Sequence, residues 1–139
     1  RASGVADVGD VVLRRLDQVD GLERIRISSI EPTTVGDELI DLLASSKKLC
    51  PYLHIPLQSG DDQILQAMHR RHTVKAYCKL IDTALTRIPD LGIGTDLMVG
   101  FPGETEAAFQ NTWAVASSLP FSYLHVFPYC QDQEPQRYA

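Results

Sequence analysis

Residues 52–73 read Tyr-Leu-His-Ile-Pro-Leu-Gln-Ser-Gly-Asp-Asp-Gln-Ile-Leu-Gln-Ala-Met-His-Arg-Arg-His-Thr. An apolar segment at 52–57 runs directly into the polar turn Gln58-Ser59-Gly60 and then into a helical pattern. In α/β proteins with parallel strands, helices cover the faces of the sheet and ligands bind at the carboxyl ends of the strands. This stretch therefore predicts a strand whose carboxyl end carries a binding site.

A second junction of this kind spans residues 94–105, which read Gly-Thr-Asp-Leu-Met-Val-Gly-Phe-Pro-Gly-Glu-Thr. Val99 and Gly100 end an apolar segment, and a glycine at such a place lets the backbone approach a flat ring closely because it has no Cβ. A tight turn that needs a positive φ is an equally common use of glycine. Two polar junctions in one short chain favour a binding site at the rim of a sheet.

Helical and strand patterns alternate along the chain at one unit per roughly thirty to forty residues, as βαβ units require. Thr73 is a predicted N-cap, and Pro89 and Pro120 end helices. We predict an α/β fold with about four parallel strands, in one domain over residues 1–130 followed by a polar tail at 131–139. The predicted helices are 8–19, 37–46, 61–68, 74–88 and 104–119, and the predicted strands are 24–30, 52–57, 92–99 and 122–127.

The 139 residues carry a formal net charge of −5, a weak electrostatic footprint for nucleic acid. One local basic patch, formed by Arg70, Arg71, Lys75 and Lys79, is either a phosphate-binding surface or a solvated helix face. No segment has the apolar length of a membrane span, and no signal-like pattern opens the sequence. We expect a cytoplasmic protein, and the start at Arg1 rather than Met suggests an excised or processed segment.

The three cysteines, Cys50, Cys78 and Cys130, have no metal-binding or redox spacing. Cys78 falls on the apolar face of a predicted helix and is expected to be a packed core thiol. A reducing compartment with free thiols fits this odd number, and we predict no metal site.

Gln58 and Ser59 offer an amide and a hydroxyl at a strand end, where they would hydrogen-bond ribose hydroxyls or the polar end of a methionyl group. The alternative is local capping, in which Ser59 or Asp61 accepts N–H groups of the next helix. Asp96 stands inside an apolar strand, where an unpaired carboxylate is unfavourable, so we expect a polar interior or a cation, with Arg70 as a candidate partner.

The four histidines are expected to be hydrogen-bonded core or rim residues rather than metal ligands: His54, His69, His72 and His125. Glu31, at the end of the first predicted strand, is either a rim residue with a function or a structural hydrogen-bond acceptor. Phe127 and Tyr129 would close the core or stack on a base. No catalytic residue is identifiable from the spacing of these groups.

Four segments together resemble the radical S-adenosylmethionine tRNA methylthiotransferases of the MiaB and MtaB type, most closely the MtaB branch. They are Arg-Ile-Arg-Ile-Ser-Ser-Ile-Glu-Pro at 24–32, Ile-Pro-Leu-Gln-Ser-Gly with Met-x-Arg-Arg-His-Thr, Val-Gly-Phe-Pro-Gly-Glu-Thr, and Tyr-Leu-His-Val-Phe-Pro-Tyr at 123–129. The resemblance covers nearly the whole chain up to Tyr129. Beyond it, Cys-Gln-Asp-Gln at 130–133 departs from the Ser-Pro-Arg-x-Gly-Thr segment usual in the family.

The resemblance implies the C-terminal part of a six-stranded partial (β/α) barrel, with these strands as its third to sixth. It implies S-adenosylmethionine as a cofactor, bound through Gln58, Ser59, Val99 and Gly100, with Arg70 and Asp96 as further contributors. It also implies a 4Fe–4S cluster whose ligands are not in this chain, because the family's Cys-x-x-x-Cys-x-x-Cys is absent. Such a cluster needs clustered thiolates, so we expect this chain by itself to be inactive in cleaving S-adenosylmethionine.

By the same resemblance, the full-length protein adds a methylthio group to threonylcarbamoyladenosine beside the tRNA anticodon. Two other hypotheses stay open: a barrel scaffold without catalysis, and an unrelated half-barrel enzyme with a phosphate site at its rim. Unpaired sheet edges, together with expected exposure of Leu57, Leu97 and Phe127 on the concave side, predict that the chain self-associates.

Overall fold

The computed structural model describes residues 8–131. Its helices are α1 (Val8–Asp17), α2 (Asp37–Ser45), α3 (Asp62–Ala67), α4 (Val74–Arg87) and α5 (Glu106–Ser118), and its strands are β1 (Tyr52–His54), β2 (Gly92–Val99) and β3 (Tyr123–Pro128). A single 3₁₀ turn at Pro32–Thr34 precedes α2.

The three strands form one parallel sheet in the order β1-β2-β3. His54 pairs with Gly94, and Gly94 in turn pairs with Tyr123, so these three residues lie at one level across the sheet. Two residues further toward the carboxyl ends of the strands, Asp96 pairs with His125. The predicted α/β fold, in which parallel strands alternate with helices, is confirmed.

The predicted first strand at 24–30 does not form a continuous ladder. It meets the β1 segment only at two isolated parallel bridges, Ile25 with Leu49 and Ser29 with His54, and the register shifts by one residue between them. Pro51 lies between the two bridges and has no N–H, and the next N–H, that of Tyr52, donates to the carbonyl of Cys50 at 2.8 Å. The sheet therefore has three regular strands and one bridged segment.

β1 is also shorter than the predicted 52–57, because Pro56 interrupts its ladder with β2. Beyond it the pairing resumes as a bridge between Gln58 and Leu97, again shifted by one residue from the register of His54 with Gly94. An extra residue in one strand of a pair is a β-bulge, which bends the strand and re-aims the side chains that follow. This bulge sets the direction in which the chain enters the Gln58 turn.

Side chains supply the hydrogen bonds that the bulge removes from the ladder. The N–H of Leu57 donates to Thr95 Oγ1 at 2.9 Å, and the hydroxyls of Thr95 and Tyr77 lie 2.9 and 2.6 Å from the carbonyl oxygen of Ile55. His72 Nε2 lies 3.0 Å from the carbonyl oxygen of Leu57, to which it donates. Tyr77, Thr95 and His72 are all buried, so the irregular backbone is satisfied without water.

One face of the sheet packs against the helices and forms the core. Its side chains alternate along β1 and β2, and they join apolar residues of α2 and α4 in one cluster. Leu57 and Leu97 belong to this cluster, with 0% and 4% exposure, so the expectation that they are exposed on the concave side is wrong. They point toward the helices because the side chains of a strand alternate between its two faces, whereas Phe127 is half-buried on the open face.

The predicted caps at Thr73 and Asp61 are present, and Thr105 is a further N-cap that was not predicted. Thr73 and Thr105 accept backbone N–H groups at the start of α4 and α5, and Asp61 Oδ1 accepts the N–H groups of Gln63 and Ile64 at the start of α3. α1 ends at Asp17, two residues before the predicted Val19. The predicted tail at 131–139 lies outside the described residues except for Gln131.

No helix among residues 8–131 combines the length and the apolar character needed to cross a membrane.

Thr95→Val tests the side-chain support of the bulge. Valine keeps the shape of threonine but leaves the buried N–H of Leu57 without an acceptor, so we expect a loss of about 1–3 kcal/mol in the free energy of unfolding. Urea unfolding measures the change. The matched control is Thr86→Val on the exposed side of α4, expected to stay within about 0.5 kcal/mol of wild type. Equal effects of the two substitutions would show that the bulge does not depend on Thr95.

Asp61→Asn tests the charge at the start of α3. The hydrogen bond from Asn111, aided by the N–H groups of Ile64 and Gln63, holds the pKa of Asp61 below its usual 3.8 against the opposing effect of burial. A carboxyl with a lowered pKa in the folded state stabilises the protein above its unfolded pKa and loses this effect as the pH falls through the folded value. Asparagine keeps the cap but has no charge.

We therefore expect the wild-type chain to exceed the Asp61→Asn variant in free energy of unfolding at pH 6, and the difference to shrink at pH 3. Urea titrations at the two pH values measure it. A difference that is constant or larger at pH 3 would contradict the direction of the shift.

Candidate functional site

A pocket of about 400 Å³ lies at the carboxyl ends of β1 and β2, and Gln58 is one of its polar lining residues. Gln58 has a left-handed backbone with φ 69°, which is unusual for a residue other than glycine. Its side chain is buried, and its Oε1 has no hydrogen-bond partner among residues 8–131. A buried, unpaired acceptor at a strand end is open to a donor from outside the described residues, such as a ligand, a water or another part of the full-length protein. The remaining lining consists of Ala67, Met68, His69, Arg70, Met98, Phe101 and Tyr129.

Ser59 and Gly60 fix the Gln58 turn against α5. The N–H of Gly60 donates to Thr112 Oγ1 at 2.8 Å, and Ser59 Oγ lies 3.3 Å from the same hydroxyl. A Cβ on Gly60 would stand 2.5 Å from the Cα of Thr112, so only glycine allows this close approach. Ser59 is fully buried and also accepts the N–H of Asp61. The structure thus gives Ser59 a capping contact, and its contact with a cofactor stays a prediction.

The Val99 and Gly100 backbone forms the second wall of the rim. Gly100 has φ 76°, and no atom of the described residues lies within 4 Å of the place where a Cβ would stand. Its N–H donates to Glu104 Oε1 at 2.9 Å, while Glu104 Oε2 is buried without a partner in the described part of the chain. The turn therefore needs the positive φ of glycine, and the open space beside it also leaves room for a flat group. Both uses of glycine that the sequence suggested fit this position.

Arg70 lies at the rim, but its carboxylate partner is Glu31 rather than Asp96. Arg70 Nη1 contacts both carboxylate oxygens of Glu31, at 2.9 and 3.1 Å. This pair joins the loop after α3 to the segment before α2. The predicted pairing of Arg70 with Asp96 is wrong because Asp96 lies lower on the open face, where histidines surround it.

Asp96 contacts two histidines on the open face of the sheet. His54 Nε2 lies 2.9 Å from Asp96 Oδ1, and His125 Nδ1 lies 3.5 Å from the same oxygen. The hydroxyl of Tyr52 lies 3.4 Å from His54 Nδ1 on the other side of that ring. The expectation of a polar interior around Asp96 is therefore confirmed, with His54 as its nearest cationic or donor partner.

Metal-binding groups are not assembled anywhere in the described residues. No set of three or more His, Cys, Asp and Glu side chains in residues 8–131 could hold a metal ion. Cys50 and Cys78 are half-buried and Cys130 is exposed, all three as free thiols. Burial raises the pKa of Cys78, which favours its neutral thiol form. His54 and His72 are hydrogen-bonded to Asp96 and to the backbone, as predicted for satisfied histidines.

Three residues that support the rim escaped prediction: Thr95, Glu104 and Thr112. Each is a polar residue whose partner is a backbone group of a turn, and no spacing in the sequence reveals such a contact. Thr95 did carry a signal, since a hydroxyl in an apolar strand needs a partner. Glu104 lies in the Gly-Phe-Pro-Gly-Glu-Thr segment, where nothing in the sequence indicates its contact with the N–H of Gly100.

The rim and the open face together offer three kinds of recognition. The unpaired amide oxygen of Gln58 can accept a hydrogen bond, the N–H groups of Arg70 other than those on Nη1, which contacts Glu31, suit a second carboxylate, and the Gly100 backbone admits a flat ring. Phe101 and Tyr129 close the outer side with an edge-to-face ring contact, their centroids 5.3 Å apart. This set fits a ligand that combines an amino acid end with a planar ring.

Two comparisons with known proteins give matches. Residues 6–114 match the family described as the radical SAM superfamily. Similar proteins include the tRNA-2-methylthio-N(6)-dimethylallyladenosine synthases of Mycobacterium sp. (strain MCS), 46% identical over 118 residues, of Magnetococcus marinus, 40% over 119, and of Ruegeria pomeroyi, 41% over 130. These alignments cover 85%, 86% and 91% of this chain and 22%, 27% and 30% of the relatives.

The chain thus spans about a quarter of the length of these curated relatives. The superfamily match excludes an unrelated half-barrel enzyme. None of the relatives named here points to the MtaB branch in particular, so that finer assignment is not supported by the comparison. With more than three quarters of its residues matched, the chain belongs to the radical SAM superfamily.

Proposed function

We propose that the full-length protein containing this chain is a tRNA methylthiotransferase, and that this chain forms the wall that binds S-adenosylmethionine. The observation that carries the proposal is the buried Oε1 of Gln58 at the carboxyl end of β1, unpaired among the described residues. Superfamily membership implies S-adenosylmethionine and a 4Fe–4S cluster, and the names of the curated relatives supply the reaction class.

The residues at the rim fit S-adenosylmethionine. Gln58 Oε1 would accept a hydrogen bond from the amino group of the methionyl end, and Arg70 would bind its carboxylate. The backbone of Val99 and Gly100 would lie against the adenine, where the missing Cβ leaves space. Ser59 would contribute either directly or by holding the turn against α5. Asp96 lines the separate pocket on the open face and not the rim pocket, so we assign it no direct contact with the cofactor.

The described residues do not fit the iron–sulfur cluster, because their cysteines are not brought together. Its ligands would come from other residues of the full-length protein. When bound next to a reduced cluster, S-adenosylmethionine supplies a deoxyadenosyl radical. The part of this chain is to bind and orient the cofactor and to exclude water from it.

For the substrate we propose an N6-modified adenosine in tRNA, with the threonylcarbamoyl form as the finer assignment. The threonylcarbamoyl assignment is supported by the amino-acid sequences of the four motifs. The names of the relatives, by contrast, specify the dimethylallyl form. A second pocket lies on the open face of the sheet, beside Asp96, and Arg26 is among its lining residues. The positive charge of Arg26 suits the carboxylate of a threonylcarbamoyl group better than it suits an apolar isoprenoid group. Exposed Arg71, Lys75 and Lys79 support contact with tRNA phosphates.

We also propose that the chain self-associates. The reason is no longer exposure of Leu57 and Leu97, which are buried, but the exposed edge strand β3. β3 is an edge of the described sheet, and its Tyr123, Leu124 and Val126 are exposed. Unpaired edges with apolar side chains recruit other chains. Cytoplasmic localisation is proposed from the tRNA substrate.

The experiment for the function uses the full-length protein with its cluster reconstituted under anaerobic conditions. Transfer RNA carrying either dimethylallyladenosine or threonylcarbamoyladenosine is the substrate, and mass spectrometry of the digested nucleosides identifies the methylthio product. We expect methylthiolation of the threonylcarbamoyl form. Product from the dimethylallyl form alone would overturn the finer assignment, and cofactor cleavage without either product would overturn the methylthiotransferase.

Gln58→Asn and Ser59→Ala should each weaken binding of S-adenosylmethionine to the full-length protein by about 1 kcal/mol, the usual net contribution of one hydrogen bond. Asparagine is chosen at position 58 because it tolerates the left-handed backbone while shortening the reach of the amide. Isothermal titration calorimetry measures the affinity. Gln63→Asn, on the exposed side of α3, is the matched control and should bind like wild type.

The cluster should still assemble in both variants, which its absorption spectrum checks. Wild-type affinity in both would show that Gln58 and Ser59 do not contact the cofactor.

A further inference from the structure

Asp96 is a charged side chain at the centre of a three-stranded sheet, on the face that the helices leave open. Its side chain is only 19% exposed. A carboxylate in such a place is unfavourable unless donors surround it. The imidazoles of His54 and His125 approach the same oxygen from the two neighbouring strands, His54 Nε2 at the hydrogen-bond distance of 2.9 Å and His125 Nδ1 at the longer ion-pair distance of 3.5 Å.

The backbone beneath this cluster is shaped to make room for it. A Cβ on Gly94 would stand 2.3 Å from the hydroxyl of Tyr52 and 2.8 Å from His54 Nδ1. Only glycine therefore lets these two side chains lie across β2. The guanidinium of Arg26 stacks over the Tyr52 ring at 4.6 Å and closes the far side. The absence of a side chain at Gly94 of β2 thus leaves the space that Tyr52 and His54 occupy.

His125 differs from His54 in its access to solvent. The side chain of His54 is 15% exposed, whereas that of His125 is 60% exposed. Because Nδ1 of His125 faces Asp96, its Nε2 lies on the opposite side of the ring. A carboxylate against one ring nitrogen fixes the orientation of an imidazole and leaves the other nitrogen for a ligand.

Aromatic rings flank this histidine along β3. Tyr123, His125 and Phe127 alternate with residues of the other face, so all three stand on the open face. The side chain of Tyr123 is exposed to solvent. The rings of His125 and Phe127 have centroids 5.5 Å apart. Rings presented in a row beside hydrogen-bonding groups are suited to the faces and edges of nucleobases.

The cluster lies next to the cofactor rim. Asp96 lines a pocket of about 530 Å³ on the open face, and Met98, two residues further along β2, lines the rim pocket. Two residues of a strand span roughly 7 Å. The open-face pocket and the rim pocket therefore adjoin along β2.

We propose that the open-face pocket binds the nucleobase that is modified, with His125 in contact with the base and Asp96 as the positioning residue for His125. The inference rests on the proposed function and deepens it by assigning the substrate subsite to residues of this chain. The ligand class is a purine, whose ring face stacks on Tyr123 and whose edge hydrogen-bonds to His125 Nε2.

The test uses the reconstituted full-length protein with the two modified tRNAs, and compares His125→Ala and Asp96→Asn with wild type. Two products are quantified in each reaction: 5′-deoxyadenosine, which reports cofactor cleavage, and the methylthiolated nucleoside. We expect the nucleoside yield per 5′-deoxyadenosine to fall about tenfold or more in both variants. Affinity for S-adenosylmethionine should change less than twofold, because the rim residues are intact.

A matched control and a double variant separate positioning from folding. Asp82→Asn makes the same chemical change on the exposed side of α4 and should leave both products unchanged. If Asp96 acts through His125, adding Asp96→Asn to the His125→Ala variant should reduce the yield no further than twofold. A role of Asp96 confined to folding would lower cofactor affinity as well, and would reduce the yield by the same factor in both backgrounds.

Two results would overturn this inference alone. One is a wild-type yield of methylthiolated nucleoside per 5′-deoxyadenosine in His125→Ala. The other is an equal loss of cofactor affinity and of nucleoside product in Asp96→Asn. Wild-type protein that cleaves S-adenosylmethionine but methylthiolates neither tRNA would overturn the proposed function, and the inference with it.

Discussion

The hydroxyl of Thr95 is the contact on which the rim depends. Pro56 cannot donate a hydrogen bond, so β1 loses its ladder with β2 just before the functional turn. Thr95 accepts the N–H of Leu57 in place of a backbone carbonyl, while Tyr77 and His72 satisfy the neighbouring carbonyl groups. Because all these partners are buried, the bulge is held in one geometry. Gln58 then leaves the strand with a left-handed backbone and an amide oxygen that no group among residues 8–131 pairs.

The turn that follows is fixed from a different direction. Thr112 of α5 binds the N–H of Gly60 and approaches Ser59, and Asn111 of the same helix donates to Asp61. One helix therefore holds both the turn and the cap of α3. These contacts explain why Ser59 is buried although it lies at the carboxyl end of the strand. Gln58 is the polar side chain of this turn whose oxygen stays unpaired among residues 8–131, and the groups around it hold its backbone in place.

The two faces of the sheet differ in the side chains they carry, since the covered face is apolar and the open face is polar. The helices bury Leu53, Ile55 and Ile93, and the same strands turn His54 and Asp96 the opposite way. On an ordinary solvent-exposed face, charged side chains would be separate and hydrated. Here Asp96 Oδ1 lies 2.9 Å from His54 Nε2 and 3.5 Å from His125 Nδ1. Charged groups and aromatic rings are thus concentrated along one short stretch of β2 and β3.

Much of this protein was predictable from local pattern. Helical periodicity and capping residues located all five described helices to within about two residues, and the polar ends of two apolar strands located the rim. The prediction of a regular strand at 24–30 was wrong because Pro51 diverts the partner strand, and the pairing of Asp96 with Arg70 was wrong because sequence distance carries no information on which face a side chain occupies. Self-association and the roles of the rim residues stay predictions.

The sequence by itself determined the alternation of strands and helices and the polar ends of the strands, because each depends on neighbours within one or two turns of chain. The parallel direction of the strands follows from that alternation, since a helix between two strands returns the chain to the same end of the sheet. Only the tertiary structure decided that Gln58 is the unpaired group, that Arg70 binds Glu31, and that Asp96 joins His54 to His125. These contacts join residues dozens of positions apart. They depend on strand register and on bulges of a single residue, since a shift of one residue turns a side chain to the opposite face of a sheet.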